Sequence, residues 1–165
     1  FTTDFTVDHL DVHDTGCSGV VAKTDPTCDP KTQLGGFVLR NATFHDINIT
    51  NTGCEGFYIG NSHFDIGVTK TCNGQSVRLY EHALDNIKVY NCILKNIGND
   101  GIQVGGATNA IVRDNQVLGA GLKNNESHMN GIQLGSGSTR AVVYNNYVDA
   151  ARGFGVFDSG GGGKY

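Results

Sequence analysis

The chain has 165 residues, room for one domain with a continuous core and too few for two. It carries 24 Gly and 16 Asn against 2 Pro and no Trp, and most of the glycines are scattered singly among Val, Ile, Leu and Phe, which argues against low complexity and excludes the three-residue period of collagen. A net charge of −4 argues against nucleic acid or an anionic membrane surface as a partner, and no apolar run approaches the ~18 residues of a membrane span.

From the amino terminus onward, one six-residue pattern recurs five times: apolar, polar, a polar turn residue, an interior-type residue, any residue, then apolar. The copies run Val7–Val12, Phe44–Ile49, Val89–Leu94, Val112–Val117 and Val143–Val148. Four of them reach a glycine seven residues later (Gly19, Gly56, Gly101 and Gly155), and the fourth copy reaches Gly131 after a longer stretch. A short apolar strand follows each glycine, beginning at Val20, Phe57, Ile102, Ile132 and Val156. Start-to-start spacings are 37, 45, 23 and 31 residues. The shortest unit has no room for a helix and space for three short strands. Such a unit cannot bury its own apolar residues, but stacked copies at the ~4.8 Å strand spacing can. The expected fold is therefore all-β, a parallel β-helix or solenoid of about five to seven coils. Gly is expected at crowded or positive-φ corners, and Asn at left-handed turns. Asn115 and Asn146 share one repeat position and should stack in adjacent coils.

The residues in excess of 23 locate three insertions, 23–36, 61–82 and 122–128. The first two leave the solenoid after the third strand of neighbouring coils, and the last lies at that strand's other end. One face is thus flanked by loops on both sides, the usual place for function on a rigid scaffold. Alternation turns Val21, Tyr58, Gln103, Gln133 and Phe157 outward on this face. Ser18, Glu55, Asp100, Asn130 and Phe154 form a second stack beside them. Tyr58, Gln103, Asn130, Gln133 and Phe157 are accordingly expected to bind a sugar chain.

Cys92 falls at an interior position and reads as a buried free thiol. Cys17 and Cys54 share a repeat position one coil apart, ~5 Å between Cα atoms, within disulfide range. Pairing them leaves Cys28 and Cys72 to join the two insertions. The rival arrangement is Cys17–Cys28 with Cys54–Cys72. Disulfides place the chain in an oxidising compartment, secreted or on a cell surface. Sequons occur at Asn41, Asn48 and Asn125.

The motifs NIKVYNCILKNIGNDGIQVGG, AIVRDNQV and AVVYNNYV resemble the right-handed parallel β-helix repeats of pectate-lyase-like proteins. The series GVVAKTDP, GFYIGNS, GIQVGGA and NGIQLGSG is similar to secreted bacterial β-helix proteins of ill-defined function. The resemblance implies the right-handed solenoid and says little about activity, because this superfamily includes lyases, hydrolases, epimerases, adhesins and phage tailspikes. It brings no active site, because the Gly-His-Gly and Arg-x-Lys of polygalacturonases and the Asp-Pro-His-Asp of uronan epimerases are missing.

Weaker constellations remain. Glu55 and Asp100, one coil apart, suit an acid/base pair or a calcium ion. Lys23, His63 and His128 stand in or beside the flanking loops as candidate bases, with Asp25 placed to pair Lys23. Asp11, His13 and Asn48 share one outward surface and form a weaker metal candidate. The leading expectation is an extracellular module that binds polysaccharide without chemistry of its own. A polysaccharide lyase or glycoside hydrolase is the alternative, and an adhesin stalk or filament subunit is a third reading. Neither end carries a capping element, so further coils, flanking domains or other copies are expected partners, and Gly160 to Gly163 reads as a linker.

Overall fold

The computed structural model describes residues 1–159, so the glycine run at 160–163 lies outside the described residues. The chain forms a parallel β-helix. Three five-stranded sheets each take one strand from every coil, and within each sheet the strands stack in chain order. The first sheet holds Phe5–Asp8, Ala42–His45, Lys88–Tyr90, Ile111–Arg113 and Val142–Tyr144. The second holds Asp11–Thr15, Asn48–Thr52, Ile93–Ile97, Gln116–Ala120 and Tyr147–Ala151. The third, which carries the loop-flanked face, holds Val20–Ala22, Phe57–Gly60, Ile102–Gly105, Ile132–Leu134 and Val156–Asp158.

The register follows the repeat. Phe44 pairs with Val7 and Val89, Ile49 with Val12 and Leu94, and Ile102 with Phe57 and Ile132. These columns point inward, and from Phe44 to Ile132 they are at most 1% exposed. Each apolar side chain is covered by its equivalents one coil above and below, which is how short strands acquire a shared core. At the two ends this cover is lacking: Val156 is exposed, and an open cavity lined by Phe1, Phe5, Val7, Val20 and Phe44 lies at the first coil.

Three columns of left-handed residues turn the chain. Asp4, Asn41, Asn86, Asn109 and Arg140 form one, and His9, Asp46, Asn91, Asp114 and Asn145 the next. Asp14, Asn51, Asn96 and Ala150 form the third, and all three columns have φ between 51° and 58°. Side-chain amides link the coils there, Asn86 Nδ2 donating to Asn41 Oδ1 at 2.7 Å and Asn96 Nδ2 to Asn51 Oδ1 at 3.0 Å. Asn115 and Asn146 stack as expected, with Asn115 Nδ2 donating to Asn146 Oδ1 at 2.9 Å. Asn and Asp thus supply most of the corners. The repeated glycine acts differently, by allowing close approach: a Cβ on Gly101 would lie 2.5 Å from the Gly131 carbonyl oxygen and 2.6 Å from Val117 Cγ1.

Two elements go beyond the sequence reading. A fourth, narrow sheet joins Val38–Arg40, Ala83–Asp85 and Ala107–Thr108. The 61–82 insertion contains an antiparallel hairpin, Val68–Cys72 with Gln75–Leu79, whose Asn73-Gly74 turn has both central φ angles positive. The first two insertions lie side by side, with Leu34 N–H donating to the Tyr80 carbonyl at 2.9 Å. Disulfides Cys17–Cys54 and Cys28–Cys72 bind coil to coil and insertion to insertion. Cys92 is free and fully buried.

Candidate functional site

Stacking alone brings Glu55 and Asp100 together. Each sits two residues before an inward strand residue, and the Gly56 N–H donates to the Asp100 carbonyl at 3.0 Å, fixing one above the other. The 122–128 insertion then folds back over them. Its last residue, His128, puts Nδ1 3.1 Å from Asp100 Oδ2 and 3.9 Å from Glu55 Oε1. Glu55 and Asp100 are buried, and the His128 side chain is 24% exposed.

Every other oxygen of the pair is held. Asp100 Oδ1 accepts from the backbone N–H of Asn130 at 2.8 Å and from its Nδ2 at 3.1 Å. Ser18 Oγ donates to Glu55 Oε2 at 2.9 Å, and Asn99 Nδ2 to Glu55 Oε1 at 3.1 Å. Hydrogen bonding to Asp100, helped by the charges of Asp100 and Glu55, raises the His128 pKa above the usual histidine value despite partial burial. The arrangement is a positioned imidazole on two buried carboxylates, suited to proton transfer or ion binding.

His128 opens onto a cavity of about 330 Å³. Ser62 and His63 line it from one insertion, Glu126 and Ser127 from another, and Asn130, Gln133, Phe154 and Phe157 from the solenoid. Phe154 and Phe157 stack with ring centroids 5.2 Å apart and planes 14° apart. Gln133 Oε1 accepts from Asn130 Nδ2 at 3.0 Å, which orients both amides at the cavity wall.

The other sequence-selected residues fall differently. Gln103 turns outward yet is fully buried, and neither of its side-chain polar atoms has a hydrogen-bond partner among the described residues. It touches no solvent, so it does not present the sugar-binding surface expected of it. Tyr58 is half-buried, with the Lys23 ammonium 4.5 Å from its ring centroid, so one ring face is taken. Lys23 pairs with Asp25 at 2.7 Å, as expected. His13 bonds Asp14 rather than Asp11, and among the described residues the one group of three metal-type side chains whose ligand atoms all lie within 4.8 Å of one another is Glu55, Asp100 and His128.

Sequence reasoning missed Asn99, Phe154 as a cavity wall, and Glu81. Glu81 is 1% exposed, both its carboxyl oxygens lack hydrogen-bond partners among the described residues, and burial pushes its pKa up to about 8. Comparison with protein-family models, curated proteins and solved structures finds no match for the chain. Among the described residues, no helix is long and apolar enough to cross a membrane.

Proposed function

We propose that this chain is an extracellular β-helix module, of the pectate-lyase-like kind, that binds a carbohydrate chain on its loop-flanked face. The observation that carries this reading is the stacked Phe154–Phe157 pair beside a polar cavity lined by Ser62, Glu126, Ser127, Asn130 and Gln133. Sugar rings need an apolar platform for their C–H faces and fixed hydrogen-bonding groups for their hydroxyls, and the cavity offers both. Two disulfides favour the extracellular setting. The test is retention on a panel of immobilised acidic and neutral polysaccharides. Phe154 is 62% exposed, so Phe154→Ala removes the platform without opening the core. Roughly tenfold weaker retention is expected. No retention on any polysaccharide, or equal retention by Phe154→Ala and Phe157→Ala, refutes the reading.

A second reading, lyase or hydrolase, is favoured by the buried Asp100 carboxylate against the His128 imidazole at the cavity edge. His128 would move the proton and Asp100 would orient it. A retained polysaccharide that returns intact, with no new C=C absorbance and no new reducing ends, rejects chemistry and leaves binding standing.

A further inference from the structure

Glu55, Asp100 and His128 each offer one ligand atom, and these atoms all lie within 4.8 Å of one another. Calcium, which acidic residues on a β-helix first suggest, fits poorly. It takes six to eight oxygens at about 2.3–2.6 Å. Here Asp100 Oδ1 is engaged by Asn130 and Glu55 Oε2 by Ser18, and the third donor is an imidazole nitrogen. The oxygens and nitrogen on offer suit a smaller ion of borderline softness. Zinc bonds nitrogen and carboxylate oxygen at about 2.0–2.2 Å, which puts tetrahedral ligands roughly 3.4 Å apart. The two separations from His128 Nδ1, 3.1 Å to Asp100 Oδ2 and 3.9 Å to Glu55 Oε1, bracket that value. Asn130 and Ser18 already hold the carboxylates from behind, the support that metal ligands require.

A second, independent feature points the same way. The Asn99 amide faces Glu55 Oε1 with its nitrogen, while its Oδ1 is buried and has no partner among the described residues. A half-turn about the last side-chain bond exchanges the two ends. It would bring a carbonyl oxygen to the cluster as a fourth donor. In the same coil, three residues after Asp100, the fully buried Gln103 amide also lacks partners among the described residues. An ion has a route in, since the His128 side chain lines the open cavity.

We propose that Glu55, Asp100 and His128, completed by Asn99, form a binding site for one divalent transition-metal ion of the zinc class. The inference stands apart from the carbohydrate reading. It is tested on the metal-stripped chain by titrating Zn²⁺ against a chromophoric chelator and by recording the visible spectrum with Co²⁺. One equivalent of Zn²⁺ and a tetrahedral Co²⁺ spectrum are expected. His128→Gln should weaken binding by more than about 100-fold, beyond the roughly 10- to 100-fold that loss of a supporting hydrogen bond costs. Asn99→Ala should weaken it less. The surface group of His9, Asp8 and the half-buried His45 is the internal control: His9→Ala with His45→Ala must leave the tight equivalent in place. Loss of that equivalent in the control, tight binding of Ca²⁺, or binding unchanged by His128→Gln overturns the site. If His128→Gln does not fold, an octahedral Co²⁺ spectrum of the parent overturns it equally. Glycan retention by the metal-stripped chain reports on the carbohydrate reading separately.

Discussion

Glu81 is a carboxyl group with nowhere to send its charge. It is buried, its oxygens have no hydrogen-bond partners among the described residues, and Lys23 offsets only part of the burial cost. Its pKa rises from 4.5 to about 8, so the folded chain keeps a proton that the unfolded chain releases. Below pH 4.5 both states hold the proton and nothing is lost. From there up to about pH 8 the unfolded state binds fewer protons, and stability falls by at most about 1.4 kcal/mol per pH unit. Above pH 8 the loss is complete. Glu81→Gln keeps the shape and cannot ionise. The difference in urea midpoint between Glu81→Gln and the parent is expected to grow between pH 5 and pH 8 and then level off. A pH-independent difference would mean that the folded carboxyl is charged throughout.

At the scale of the strand and turn, the glycine column makes a sharper claim than glycine content does. Gly101→Ala must push its Cβ into the Gly131 carbonyl of the next coil and into Val117, whereas a Cβ on Gly16 meets nothing within 4 Å. Gly101→Ala is expected to cost about 1–3 kcal/mol or more in chemical denaturation, and Gly16→Ala well under 1 kcal/mol. Equal costs would show that coil spacing is not set by this column. The sheets and their register were legible because Val, Ile, Phe and Gly recur at fixed offsets, and a one-residue slip would have turned Phe44 or Ile102 to solvent. The narrow fourth sheet escaped because strands of two or three residues carry no period. The hairpin escaped as a strand pair, although Asn73-Gly74 is its turn signal, because Val68–Cys72 alternates weakly. In the site, stacking gave away Glu55 and Asp100, while the distance to His128 depends on how an insertion folds back, which no repeat encodes.

For the whole molecule, the distribution of crosslinks matters more than their number. In a solenoid each coil touches only its neighbours, so stability is a sum of local terms and need not be lost at once. Both disulfides lie in the first two coils and their insertions, whereas the third to fifth coils hold only the free Cys92. The crosslinks span 37 and 44 residues, for which chain-entropy arguments give roughly 4 kcal/mol each. Reduction should therefore loosen one end. After mild reduction, hydrogen exchange at Asp11–Thr15 and Val20–Ala22 should accelerate by at least about tenfold. Ile102–Gly105 and Gln116–Ala120 should keep their protection. Cys92 reports on the same boundary from inside the third coil. It donates to the Tyr90 carbonyl at 3.2 Å, and burial pushes its pKa up to about 11, so it is both shielded and protonated at pH 8. Alkylation of the reduced chain should label Cys17, Cys28, Cys54 and Cys72 and spare Cys92. Labelling of all five at one rate, with protection lost evenly along the chain, would mean that the coils unfold as a single unit and that the first two are not held by their crosslinks.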